Sequence, residues 1–227
     1  MFEGFSKDTF KFFSQLEKNN NRDWFQEHKP WYEEVVLFPA MKFVEDMEKP
    51  LKKISPAFTA VAKRSGGSIM RIYRDTRFSK DKTPYKTNLG IHFRHEQGKN
   101  VHAPGFYFHI DRKEIFFGAG IWHPESAAIK KIRFLIDDDQ KRWKRVTSTK
   151  KFKNEFERHG ASLKRPPRGF EADHPMIDDL KRKDHIAMTS LSRTDVYDRT
   201  LINKVAANMK GCMAYVRFLC DALHLPS

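Results

Sequence analysis

Long apolar runs are absent from this 227-residue chain. No stretch approaches the ~18 apolar residues that a membrane-spanning helix needs, so no membrane partner is expected. The start, "MFEGFSKDTF", lacks a basic segment followed by an apolar one, so no secretory signal peptide is expected. Cysteine is scarce. Cys212 and Cys220 lie in one apolar C-terminal segment, which rules out a disulfide scaffold and predicts two buried free thiols. Such usage fits a cytoplasmic protein. The chain also has no phosphate-binding loop, dinucleotide fingerprint, nucleophile elbow, CxxC pair or HExxH helix. Gly66-Gly67 alone is only a turn signal. No cofactor is therefore expected. Repeats, low-complexity tracts and Pro/Gly-rich linkers between domains are missing too. A single domain over residues 1–227 follows, helical over 1–60, sheet over 66–122, and helical or irregular over 123–227.

Apolar residues make up 39% and aromatics 13%, including 20 Phe, enough for a sizeable core despite 32% charge. The net charge is +14, which points to an anionic partner. The excess is clustered. Residues 63–86 carry eight Lys or Arg against two acids, and residues 130–168 carry fourteen against five.

Residues 6–18 read as a helix capped by Ser6, with Phe10, Phe13 and Leu16 on one face. "NNNR" breaks it, and an Asn there can cap the next helix, which Trp24 and Phe25 open. Pro30 begins a long helix over 30–53. Its apolar face is Val35, Phe38, Met41, Val44, Met47 and Leu51, with a kink or split at Pro39. The period then changes to two. Residues 68–74 read as a strand, 76–86 as a basic loop, 88–95 as a strand and 96–100 as a turn. Residues 105–111 and 114–122 form a hairpin around Arg112-Lys113. Its two-residue loop pairs Ile110 with Ile115, Phe108 with Phe117 and Phe106 with Ala119, all on one face. A helix follows Pro124, then basic helices at 138–146 and 148–158, an irregular arm, and a short helix at 176–183. "HIAMTSLSR" reads as an edge strand, and residues 194–223 as a final helix that buries Leu201, Val205, Met209, Cys212, Val216, Leu219 and Leu223. The fold class is α+β, a central antiparallel sheet of four to five strands between N- and C-terminal helices.

Alternation gives that sheet a second face, carrying Arg71 and Tyr73, then Gly90, His92 and Arg94, then Tyr107, His109 and Asp111, then Phe116, Gly118, Gly120 and Trp122. Glycines among Arg, Tyr and His suit a pocket floor. Plain exposure of a polar sheet face to water is the competing account.

The segments "NNNRDWFQEHKPWYEE", "RIYRDTRFSKDKTPYKTNLGIHF", "GFYFHID" and "GFEADHPMIDDLKRKD" resemble a widespread family of uncharacterised proteins, catalogued as a domain of unknown function. The resemblance covers nearly the whole chain. It implies one domain of this length and brings no activity, cofactor or catalytic residue.

The binding set expected from the residues is Arg71, Tyr73, Arg77, Lys82, Lys86 and Tyr107, a basic loop folded over the sheet face to hold a phosphate-bearing small molecule. Asp75 and Asp81 are expected to pair with neighbouring bases. Non-specific nucleic-acid binding through both basic clusters is the alternative. A phosphoester hydrolase is the third reading, with His92, His109, Asp111 and Asp75 as its catalytic candidates. Two His with Asp111 could ligate a metal, but their spacing matches no strict motif and no metal ligand is assigned. Nothing in the sequence sets the oligomeric state.

Overall fold

The computed structural model describes residues 1–98 and 103–227. The expected turn at 96–100 is therefore described only to Gly98, and Lys99 and Asn100 lie outside the described residues.

Three consecutive asparagines do three different jobs at the N-terminal end. Helix α1 (Lys7–Lys18) starts where Ser6 accepts the Asp8 N–H and ends at Asn19, whose side chain donates to Gln15 O at 3.0 Å. Asn21 caps α2 (Arg22–Glu27) by accepting the Trp24 N–H at 3.0 Å. Asn20 caps nothing. Its amide clamps the backbone of Tyr85, donating to Tyr85 O at 2.9 Å and accepting the Tyr85 N–H at 3.0 Å. Phe25 stacks on the Tyr85 ring 4.1 Å away, so the N-terminal segment is bolted to the basic loop.

Helix α3 (Lys29–Tyr32) carries Pro30 in its first turn and runs through a π-helical turn, Glu33–Leu37, into α4 (Phe38–Ile54). The split expected near Pro39 is thus a wide turn just before it. That wide turn shifts the helix register. Phe38, assigned to the buried face, is 43% exposed beneath Arg64, while Leu37, Ala40 and Phe43 point inward.

Among the described residues the sheet has six antiparallel strands, in the order β1-β2-β3-β4-β6-β5. They are β1 (Phe58–Thr59), β2 (Asn88–His95), β3 (Gly105–Asp111), β4 (Ile115–Ile121), β5 (Glu157–His159) and β6 (His185–Ser190). The hairpin register is the one expected, Ile110 opposite Ile115, Phe108 opposite Phe117 and Phe106 opposite Ala119. Three expectations change. Residues 68–74 form no regular strand. Ile69 bridges Ile91, then the chain leaves β2 and pairs with itself, Lys86 N–H to Ile72 O and Arg74 N–H to Pro84 O. β6 is not an edge strand, because β5, at positions assigned to a basic helix, pairs outside it.

Between β4 and β6 lie α5 (Ser126–Asp138), α6 (Gln140–Ser148), α7 (Lys150–Glu155) and the single turn α8 (Ile177–Leu180). The C-terminal helix is broken into α9 (Arg193–Val196), which opens on a capping box at Ser192, and α10 (Leu201–Ala222). One sheet face, with Ile91, Phe93, Phe106, Phe108, Phe117 and Ala119, is buried under α4 and α10, where Phe43 stacks 5.3 Å from Phe108. The buried apolar side chains form one cluster, and both cysteines lie inside it as free thiols. Among the described residues no helix is long and apolar enough to cross a membrane.

Candidate functional site

The register of the sheet decides what the other face can do. Residues directly opposite one another line up in rows across four strands. One row reads Gly90, His109, Phe116, Ser190; the next reads His92, Tyr107, Gly118, Met188; the third reads Arg94, Gly105, Gly120, Ile186. The first two rows mix rings with a glycine, and the third sets two glycines between Arg94 and Ile186. The glycines at positions 90 and 105 are there for room. A Cβ at Gly90 would stand 2.6 Å from Tyr107 Oη, and one at Gly105 would stand 2.5 Å from His92 Nε2, so each ring reaches over a glycine diagonally placed on the adjacent strand. Gly118 differs, since a Cβ there meets nothing closer than 3.7 Å. It leaves open floor.

That floor belongs to a cavity of about 830 Å³. Tyr107, Phe116, Ile186 and Met188 form its base, with His92, Arg94, His109 and Glu114 as polar groups. Trp122, Glu125, His159, Gly98 and Ala103 stand around it. Trp122 is 71% exposed, an indole presented at a cavity rather than packed in a core. The volume and the apolar lining with few polar groups match small-molecule sites.

Burial sets the charge states. His92 is held neutral, its pKa pushed down to about 4 by burial and by Arg94, whose Nε donates to His92 Nδ1 at 3.3 Å. Burial, with help from Asp111, pushes Tyr107 up to about 12, so its hydroxyl keeps its proton. His109 sits in the middle. Its Nδ1 lies 3.2 Å from Tyr107 Oη and 3.5 Å from the Asn88 amide, and its ring stacks on Phe116 with centroids 4.6 Å apart. With a hydroxyl and an amide able to donate to Nδ1, the proton belongs on Nε2. Asp111 Oδ2 is 3.3 Å from Nε2, yet off the N–H direction, and Nε2 is buried with no hydrogen-bond partner among the described residues. The other carboxylate oxygen of Asp111 accepts the backbone N–H of Lys113 at 2.6 Å and of Glu114 at 2.7 Å, closing the hairpin turn. Burial raises the Asp111 pKa, but these backbone bonds and His109 more than offset it, and the net shift is downward.

Of the residues singled out from the sequence, His92, Tyr107 and His109 line the cavity, and Asp111 stands directly behind His109. Arg71, Tyr73, Arg77, Lys82, Lys86 and Asp75 are not among its lining residues. They lie on the loop that pairs with itself. Asp75 holds Arg77 through Nε and Nη2 at 3.0 and 2.7 Å, which lowers the Asp75 pKa to about 2, and Arg74 holds Asp81 at 2.5 Å. Lys82 donates to Thr76 O. Both loop acids thus pair with neighbouring bases. Arg71 and Lys86 form no ion pair among the described residues and stand near enough that, after burial, the Arg71 charge also depresses the Lys86 pKa. Tyr73 is 46% exposed beside them, packed on Phe25 and Tyr85.

Sequence reading placed Arg94 and Trp122 on this face but did not select them. It missed Glu114, His159, Ile186 and Met188. Glu114 had a signal, since it stands three residues after Asp111 across a two-residue hairpin loop. His159 and Met188 had none, because their strands reach the sheet only through long-range pairing.

The fold and site define an α+β protein with a ligand-sized cavity on the uncovered face of an antiparallel sheet. The chain belongs to the family described as conserved hypothetical protein (DUF2461), whose profile matches residues 8–218. No curated protein and no solved structure matches it.

Proposed function

We propose that the cavity binds a small anionic organic molecule, of the phosphate-bearing class, with Arg94 meeting the anionic group and Phe116, Tyr107 and Trp122 packing against the body. The observation that carries this reading is the cavity of about 830 Å³ whose lining, among the described residues, combines Arg94 with neutral His92 and protonated Tyr107, beside the acids Glu114 and Glu125. A neutral imidazole and a phenol orient a ligand by hydrogen bonds without adding charge, which leaves selection of the anion to Arg94. The basic loop stands outside this reading.

Thermal denaturation in the presence of a panel of nucleotides, sugar phosphates and aromatic phosphates tests it. At least one member should raise the Tm of the wild type and fail to raise that of Arg94→Ala. Stabilisation that survives in Arg94→Ala sinks the assignment.

A second reading is favoured by Arg71 and Lys86, which form no ion pair among the described residues and stand beside the exposed ring of Tyr73. Such a surface suits a phosphodiester backbone with a stacked base. It predicts oligonucleotide binding that falls steeply with salt and is weakened in Arg71→Ala but not in Arg94→Ala.

A further inference from the structure

The end of the cavity beneath the β3–β4 turn has a feature that the ligand reading leaves unused. We propose that His109, Asp111 and Glu114 form a site for one divalent transition-metal cation, of the zinc or manganese class, which opens onto the cavity.

The donor atoms are already gathered. One ligand atom from each of the three residues lies within 4.8 Å of the others. Ligands held at about 2.0–2.2 Å from one ion stand roughly 3–3.5 Å from each other at adjacent positions. The contraction required is therefore about an ångström or slightly more, and Glu114, exposed at the turn, supplies it by side-chain rotation.

Charge favours a cation there. Among the described residues neither Asp111 nor Glu114 forms an ion pair with a Lys or Arg, although the chain carries 43 of them. The two bases of the turn itself look elsewhere, since Arg112 pairs with Glu17 at 2.9 Å and Lys113 pairs with neither acid. Two carboxylates and an imidazole thus converge where, among the described residues, neither acid is ion-paired to a Lys or Arg. Asp111 keeps its negative charge there, its pKa lowered on balance, and so offers a carboxylate to an incoming cation.

His109 is prepared as a ligand. Its Nε2 is buried, has no hydrogen bond among the described residues, and lies 3.3 Å from Asp111 Oδ2 without pointing its proton at that oxygen. On binding a cation the proton moves from Nε2 to Nδ1, and that Nδ1–H donates a hydrogen bond to Tyr107 Oη 3.2 Å away. Metal-bound histidines characteristically donate their other ring N–H in this way, and the partner fixes the ring. The Phe116 stack holds the same ring in plane. Asp111 is prepared in a matching fashion. The two backbone N–H groups of the turn occupy Oδ1 and leave Oδ2 for the ion.

One nitrogen and two carboxylates suit borderline transition cations better than Mg²⁺ or Ca²⁺, which favour all-oxygen shells. Three protein ligands leave at least one position open. Only the further step, in which that position meets the anionic ligand, rests on the cavity reading above. The cation site stands on its own geometry.

The test uses the full chain after chelator treatment. Zn²⁺ and Mn²⁺ are titrated by calorimetry, and Co²⁺ is followed by its visible absorption bands. One cation per chain is expected. Asp111 also closes the turn, so Glu114→Gln, which changes an exposed side chain and keeps the backbone N–H that bonds Asp111, is the informative variant, together with His109→Gln. Both should weaken binding by about tenfold or more. Asp75→Asn, remote from the site, should leave it unchanged. Binding of none of the three ions, or wild-type affinity in both Glu114→Gln and His109→Gln, overturns the proposal. Arg94→Ala should keep the cation. Cation binding that persists while no phosphate-bearing molecule depends on Arg94 would overturn the cavity reading alone.

Discussion

Replacing Asn20 with alanine should be the costliest single change in the asparagine run, although no helix depends on it. The side chain makes two hydrogen bonds, at 2.9 and 3.0 Å, to both backbone groups of Tyr85, a residue only 2% exposed. Losing two neutral bonds would cost about 0.5–1.5 kcal/mol each. Here the orphaned Tyr85 N–H and C=O are desolvated, which moves each toward the ~1–3 kcal/mol of an unsatisfied buried group. The sum is about 2–4 kcal/mol. For a chain of this size that lowers Tm by roughly 5–15 °C. Asn21→Ala removes an exposed helix cap and should cost only ~1 kcal/mol. Urea denaturation of both variants beside the wild type measures the difference. Hydrogen exchange at the Tyr85 amide should quicken in Asn20→Ala alone. If the two variants lose equal stability, the clamp does not hold the basic loop as argued.

Acid should destabilise the fold through its neutral histidines. His92 falls from 6.5 to about 4 in the folded chain, and His185, wholly buried, falls to about 3. Between those values and 6.5 the unfolded chain binds more protons, so stability is full above pH 6.5 and is lost as pH drops toward 4. The His92 share is at most about 3 kcal/mol, and His92→Gln should flatten the urea-midpoint profile over that window; an unchanged slope argues against a buried neutral ring. Gly118→Val should fold, since a Cβ there meets only ordinary contacts, and should abolish ligand-induced stabilisation by filling the floor; retained stabilisation places the ligand elsewhere. Burial drives the Cys212 thiol far up and Cys220 to about 12, so an aromatic disulfide reagent should modify neither in the native protein and both in urea. Fast native labelling would contradict the packing of α10.

Much of the site was legible because a strand repeats every two residues. The placement of His92, Arg94, Tyr107, His109 and Gly118 on one face, and of Phe106, Phe108 and Phe117 on the other, follows from alternation and a two-residue hairpin loop. Helix caps at Ser6 and Asn21 were legible for the same local reason. Phe38 was misplaced because a π-helical turn shifts register without leaving a mark in composition. The expected strand at 68–74 had the right alternation, yet its backbone divides between β2 and its own loop. Alternation gives no information about which partner wins.

The sequence alone determined the α+β class, the hairpin register, the polar sheet face, the burial of the two thiols and family membership, because each depends on local period, on apolar content or on a long motif. Only the tertiary structure decided that β6 lies inside the sheet, that the basic loop turns away from the cavity, and that Arg94 stands at its rim. It alone showed that His109, Asp111 and Glu114 converge with no Lys or Arg ion-paired to either acid among the described residues. These are matters of which distant backbone groups find one another and which charges are left over, and the pairing of residues far apart in the chain is set by the packing of the whole.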